Sequence, residues 1–226
     1  MTQLLNRCVA EAIGSFALVF FGCGAIVVDG LYGGSLGHVG ISLVFGLVVM
    51  AVIYAIGSVS GAHINPAVTL GFMYAGRLQR SAVLPYITAQ LTGATAAALL
   101  LSLLFTDHAG LGATQPVGPA WQAFVMEAIL SFFLMFVILN VSTGHQEKGL
   151  MAGVAVGAVV ALEALVGGPV SGASMNPARS LAPALVSGQL GAVWLYLAAP
   201  LLGMIIAVPT CRWVQGPDCC VGVETS

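Results

Sequence analysis

Apolar residues run along this chain in stretches of roughly twenty, the length that crosses a hydrocarbon core as a helix. The pattern predicts six such spans, near Cys8–Val28, Val39–Val59, Val83–Phe105, Ala120–Ser142, Leu150–Gly167 and Gln189–Thr210, the fifth being the shortest. Two further segments lie between spans yet are too apolar for ordinary loops. One reads SGAHINPAVTL from Ser60 to Leu70 and the other SGASMNPARSL from Ser171 to Leu181, with seven of eleven positions identical. A second echo precedes each: EAIGSF from Glu11 to Phe16 and EAILSF from Glu127 to Phe132.

The order of these echoes predicts a tandem duplication, with repeats of roughly 7–105 and 120–212, inside a single domain of residues 1–226 that ends in a 213–226 tail. Three spans per repeat turn the second half upside down relative to the first. Inverted repeats place a functional site near the membrane midplane, between the halves. Each Asn-Pro-Ala box is built as a helix start: Asn65 and Asn176 are good N-caps, and Pro66 and Pro177 suit the first helical position. Ala67 and Ala178 follow, and Gly76 and Gly188 are stops. About three turns cannot cross a bilayer, so the fold class is an all-α membrane protein of six transmembrane helices and two re-entrant half-helices.

Backbone that is not helical at membrane depth must be buried in protein or face water. The lead-ins Gly61-Ala62-His63 and Gly172-Ala173-Ser174 are therefore expected to be extended, with their carbonyls turned to a pore. Their N–H groups need acceptors. Glu11 and Glu127 are suited to brace them, since an ionisable residue inside a span is otherwise costly.

Composition narrows the class further. Hydrophobic residues make up 59%, charged residues 6%, and the mean hydropathy is +1.03. A soluble domain carries about a quarter of its residues charged, so this chain belongs in lipid. Its net charge of −2 leaves no basic footprint for nucleic acid. Met1 to Arg7 runs into the first span without a cleavage pattern, which reads as a retained span and not a signal peptide. Arg7, Arg77, Arg80, Lys148 and Arg212 all fall on one side of the predicted topology, which the positive-inside rule makes cytoplasmic, together with both termini. Arg179 is the exception, and its position marks another task.

The paired boxes, their Ser-Gly-Ala lead-ins, Arg179 and the early Glu of each half resemble the aquaporin, or major intrinsic protein, family over nearly the whole chain. The run from Gly168 to Arg179, with Tyr196 ahead of Pro200, is most similar to the nodulin-like intrinsic proteins and their bacterial relatives. The resemblance implies a passive plasma-membrane channel, in a homotetramer with one pore per subunit, that needs no cofactor or metal and excludes protons and ions. It implies a selectivity ring of Phe45, Ala164, Ala173 and Arg179, and pore-lining carbonyls at Gly61, Ala62, His63, Gly172 and Ser174.

Ring composition bears on the solute. Water-selective members carry His at the Ala164 position. Typical glycerol facilitators have Trp, Phe and Asp where this chain has Phe45, Ala173 and Ser180. The expected cargo is water with glycerol-like polyols or neutral metalloid acids such as boric, silicic and arsenous acid; the alternatives are a water-selective pore and a proton-coupled transporter. The side-chain amides of Asn65 and Asn176 are expected to donate to a passing oxygen, while the half-helix dipoles and Arg179 repel cations.

Several residues stay open. Glu163 adjoins Ala164 and is expected to accept hydrogen bonds from the loop holding Asn176, with a pore-lining role and protonation-linked gating as alternatives. His63 reads as a brace for the first box ahead of a metal ligand, and His38, His108 and His145 as solvated loop residues. Cys8, Cys23 and Cys211 lie in or beside spans, and an odd count without regular spacing forms no disulfide framework. Cys219-Cys220 reads as part of an ordinary tail, with soft-metal or arsenical binding as the alternative.

Overall fold

The computed structural model describes residues 2–107, 110–142 and 150–216. His108, His145, Lys148, Cys219 and Cys220 lie outside them. Eight helices occupy the described residues: α1 (Thr2–Leu31), α2 (Gly37–Ser60), α3 (Pro66–Tyr74), α4 (Arg80–Leu104), α5 (Ala120–Val141), α6 (Ala152–Ser171), α7 (Pro177–Ser187) and α8 (Val193–Gln215). Six of them are long and apolar enough to cross a membrane; α3 and α7, of 9 and 11 residues, are the short pair that follows the Asn-Pro-Ala boxes.

Helix ends depart from the apolar pattern where hydrogen bonding, not hydropathy, sets them. α1 starts six residues before the predicted span, because nothing between Thr2 and Cys8 breaks a helix. α6 runs through Gly167-Gly168-Pro169, which reads as a breaker, to a left-handed cap at Gly172. α8 begins at Val193 and continues to Gln215, so the first residues assigned to a tail are helical.

The six long helices pack through small residues, as helices must where lipid offers no hydrophobic drive toward association. Gly93 of α4 lies so close to α1 that a Cβ there would stand 1.9 Å from the Ala12 carbonyl oxygen. Gly203 of α8 meets α5 in the same way, 2.1 Å from the Ala128 oxygen. Each half is thus clamped by one glycine against the turn that follows its buried glutamate. Large apolar side chains face outward, Leu84 (72% exposed), Leu103 (76%) and Trp121 (70%) among them, a surface that only lipid or another apolar partner covers without cost.

Candidate functional site

The N-termini of α3 and α7 meet in the middle of the bundle. Asn65 caps α3, its Oδ1 accepting from Ala67 N at 2.8 Å and Val68 N at 3.4 Å. Asn176 caps α7 likewise, accepting from Ala178 N at 3.0 Å and Arg179 N at 3.3 Å. With Oδ1 committed as acceptor, Nδ2 is free to donate, and here the halves interlock. Asn65 Nδ2 donates to Met175 O, and Asn176 Nδ2 donates to Ile64 O, both at 2.8 Å. An amide nitrogen carries two protons. One on each Asn fixes the opposite loop, leaving one for a molecule in the cavity.

The lead-ins are not extended. Ala62 and Ile64 have φ of 47° and 42°, and Ala173 and Met175 have 43° and 53°, left-handed values that L-residues avoid. Each such residue costs on the order of 1–3 kcal/mol and persists only where its surroundings over-determine it. Glu11 does so in the first half: Oε1 accepts from Ser60 Oγ at 2.7 Å and His63 N at 2.9 Å, and Oε2 from Ile64 N at 2.6 Å and Gln90 Nε2 at 2.7 Å. Glu127 repeats this in the second half: Oε1 accepts from Ser171 Oγ at 2.7 Å and Ser174 N at 2.8 Å, and Oε2 from Met175 N at 2.7 Å. Tyr86 and Tyr196 donate to the carbonyls of Ser60 and Ser171, closing the ends of α2 and α6.

A second tier holds the boxes. The Thr69 hydroxyl donates to Asn65 O at 3.0 Å. Its only proton is then spent, so His63 Nδ1, 3.2 Å away, is the donor of that pair, and Gln90 Nε2 donates to the same oxygen at 2.9 Å. His63 also stacks on Phe72 at 4.6 Å between centroids, so its side chain sits as the brace the sequence predicts. In the second half Ser174 Oγ donates to Asn176 O at 3.0 Å. A hydroxyl relay reaches it, from Thr114 to Ser180 at 2.7 Å and on to Ser174 at 2.5 Å.

A narrow cavity of about 60 Å³ passes between the boxes. Its lining includes the two loops, Ala62 to Asn65 and Ala173 to Asn176, which bring polar groups to it. It also includes the apolar side chains of Leu18, Val49, Ile53, Val68, Leu134, Ile138, Val156 and Val160. Phe45, Ala164, Ala173 and Arg179 all border this cavity. The Arg179 guanidinium lies 5.0 Å from the centroid of the Phe45 ring and donates from Nη1 to Gly112 O at 2.8 Å, while its buried Nε has no partner. One cation and two helix N-termini therefore point positive charge into the same passage.

Three expectations need correction. Gly61 and Gly172 are left-handed C-caps of α2 and α6 and not extended backbone, and the loop residues that border the cavity include Ile64 and Met175. The loop holding Asn176 sends its N–H groups to Glu127, and neither oxygen of the buried Glu163 has a hydrogen-bond partner of normal geometry. Glu163 is also absent from the cavity wall, leaving the bracing and pore-lining readings without a contact. His38 is exposed, as expected, but it is not in a loop. It lies in the first turn of α2, with Nε2 2.7 Å from Leu165 O.

Sequence reasoning also missed Thr69, Gln90, Thr114, Ser180 and the carbonyl of Gly112. The two tyrosines were within reach of the repeat, since Tyr86 follows Asn65 by 21 residues and Tyr196 follows Asn176 by 20.

The seat of Phe45 yields a first test. It rests on Gly22 of α1, where a Cβ would stand 2.3 Å from Phe45 Cε1 and 2.7 Å from Cδ1. Gly22→Ala is expected to push the ring toward Arg179 and lower the flux of solutes larger than water by about tenfold, the scale on which tight pockets resolve one methyl-sized group. Stopped-flow light scattering on proteoliposomes measures this, and equal loss of water and glycerol flux would contradict it.

Comparison with known proteins adds independent findings. The family described as "Major intrinsic protein" matches residues 1–209. The chain is similar to aquaporin NIP1-1 of Zea mays, 45% identical over 202 residues that cover 89% of this chain and 72% of the relative. It is similar to Nodulin-26 of Glycine max, 46% identical over 202 residues, covering 89% and 74%. Among solved structures, the aquaglyceroporin from Plasmodium falciparum superposes with a TM-score of 0.86 at 24% identity, over 96% of this chain and 98% of that one.

Proposed function

We propose, for a chain that belongs to the major intrinsic protein family, that its pore admits glycerol-like polyols or neutral metalloid acids together with water. Membership makes the chain a multi-pass membrane channel for water and small neutral solutes, and not an enzyme. The substrate reading is supported above all by the two methyl side chains, Ala164 and Ala173, in the lining of the cavity that Phe45 and Arg179 also border. A bulkier pair there would leave room for water alone. The apolar side chains suit a carbon backbone or the flat face of a small acid. The Asn65 and Asn176 amides, Arg179 and the loop carbonyls suit hydroxyls.

In this reading Phe45, Ala164, Ala173 and Arg179 form the selectivity ring, and Asn65-Pro66-Ala67 and Asn176-Pro177-Ala178 the midplane constriction. The chain is one domain of two inverted halves, supported by the matching braces of Glu11 and Glu127. The end bearing Arg7, Arg77, Arg80 and Arg212 is cytoplasmic by the positive-inside rule, in a cell membrane, and four copies assemble with one pore each. Glu11 and Glu127 are filled with donors, which speaks against their taking up transported protons.

The test compares the parent protein with Ala164→His in proteoliposomes, using water, glycerol, urea and boric acid. The parent is expected to pass water and at least one of the larger solutes. The variant is expected to lower the larger-solute flux by about tenfold, the discrimination available to a tight pocket, with a smaller effect on water. A parent that passes water alone supports the water-selective alternative. Larger-solute flux untouched by Ala164→His rejects the ring.

A further inference from the structure

We propose that His38 is a positioning residue for the selectivity ring: it caps a carbonyl that Pro169 orphans and so holds the α2–α6 seam that carries Phe45 and Ala164. The proposal rests on the ring reading above and deepens it.

The need for a cap follows from the sequence of α6. In an α-helix the carbonyl of Leu165 accepts from the N–H of residue 169, and here that residue is Pro169, which has none. A helix carbonyl that loses its N–H partner is paired instead with a side chain or with water. His38 supplies the side chain across the seam, with Nε2 2.7 Å from Leu165 O. A carbonyl only accepts, so Nε2 carries the proton. The imidazole reaches this point because Gly168 has no side chain; a Cβ there would stand 2.7 Å from His38 Cε1.

The opposite end of the seam repeats the device. Tyr54 Oη donates to Leu150 O at 3.0 Å, and its ring lies on Gly153, where a Cβ would stand 2.7 Å from Cε2. In both cases an aromatic donor of α2 covers a glycine and bonds a carbonyl three residues before it. Between the two, the helices touch backbone to backbone: a Cβ on Gly46 would stand 2.5 Å from Gly157 O, and one on Gly157 2.7 Å from Gly46 O. Eight residues separate His38 from Gly46, and eight separate Gly157 from Leu165. The rungs therefore match in an antiparallel register, about 12 Å apart at helical rise.

The ring residues sit on these rungs. Phe45 precedes Gly46 at the middle contact, and Ala164 precedes Leu165 at the His38 contact. The glycine contact alone holds α6 against α2 at one point and leaves the proline-bearing end free to lean. His38 removes that freedom and so sets the spacing of Ala164 from Phe45.

The experiment measures glycerol and water permeability of proteoliposomes at matched folded protein. His38→Ala is expected to raise the glycerol-to-water ratio by about threefold, the scale of one net hydrogen bond, and His38→Gln, which keeps a donor of similar reach, to restore it. Pro169→Ala gives Leu165 O a donor within its own helix, so His38→Ala on that background is expected to change nothing further. An unchanged ratio in His38→Ala overturns the proposal, as does an equal effect on both backgrounds or a failure of His38→Gln to rescue. If His38→Ala does not fold, Gly168→Ala is measured instead, since its Cβ displaces the imidazole; it is expected to raise the ratio, and no change overturns the proposal. Ala164→His is the control. An effect there with none from His38→Ala rejects the cap alone, and no effect from either rejects the ring.

Discussion

Glu11→Ala and Glu127→Ala are each expected to remove most of the folded protein from a detergent extract before any change in selectivity can be measured. Truncating Glu11 strands His63 N and Ile64 N, and truncating Glu127 strands Ser174 N and Met175 N, in buried loops. Each orphaned N–H costs about 1–3 kcal/mol. Two of them amount to a large fraction of the roughly 5–15 kcal/mol by which proteins are stable. The stored strain of two left-handed residues per loop is then unopposed. Glu127→Gln makes the finer measurement: one oxygen still accepts from Ser171 and Ser174, while the new amide turns donors toward Met175 N. Its thermal midpoint, followed by size-exclusion chromatography after heating, is expected between those of the parent and the alanine variant. An alanine variant that folds at parental yield would show that the loops hold themselves.

Arg179→Val is expected to raise proton and small-cation leakage at least tenfold while water flux persists. The guanidinium is the only charge among the described residues that line the cavity, held by Gly112 O and the Phe45 face. A like charge approaching to about 4 Å at an effective dielectric of about 20 meets roughly 4 kcal/mol of repulsion, and pore water screens part of that. The half-helix N-termini remain in the variant, so some barrier survives. Collapse of an imposed pH gradient, followed with a trapped dye, is the measurement. Arg179→Lys keeps the charge and is expected to leak less than Arg179→Val. Equal leakage from all three proteins would remove Arg179 from ion exclusion.

How much was legible in advance depended on whether a residue's task is local. The boxes announce themselves because an N-cap and a proline at the first helical position are local requirements, satisfied within four residues. Glu11 and Glu127 stood out because a carboxyl inside an apolar run has few inexpensive explanations. His38 looked like a loop residue because its partner lies 127 residues away and is a carbonyl made free by a proline in another helix. Glu163 shows the reverse error. A buried carboxylate beside Ala164 implied a bracing contact, yet the loop's N–H groups go to Glu127 and to the Ser171 and Ser174 hydroxyls.

The sequence by itself determined the six spans, the two short helices and their pairing by repetition. All of these follow from the cost of leaving backbone polar groups or charges in lipid, a cost charged residue by residue along the chain. Only the tertiary structure decided which face of each span looks inward. In a soluble helix the polar stripe marks the water side, but here both sides are apolar: Leu84 is 72% exposed and Leu101 1% exposed on the same helix, with nothing in their chemistry to separate them. The crossed bonds of Asn65 to Met175 and Asn176 to Ile64, the seat of Phe45 on Gly22 and the cap of His38 on Leu165 were likewise settled by packing. Each depends on where a bare backbone lets a distant side chain approach, and that is a property of the assembled helices and not of any one segment.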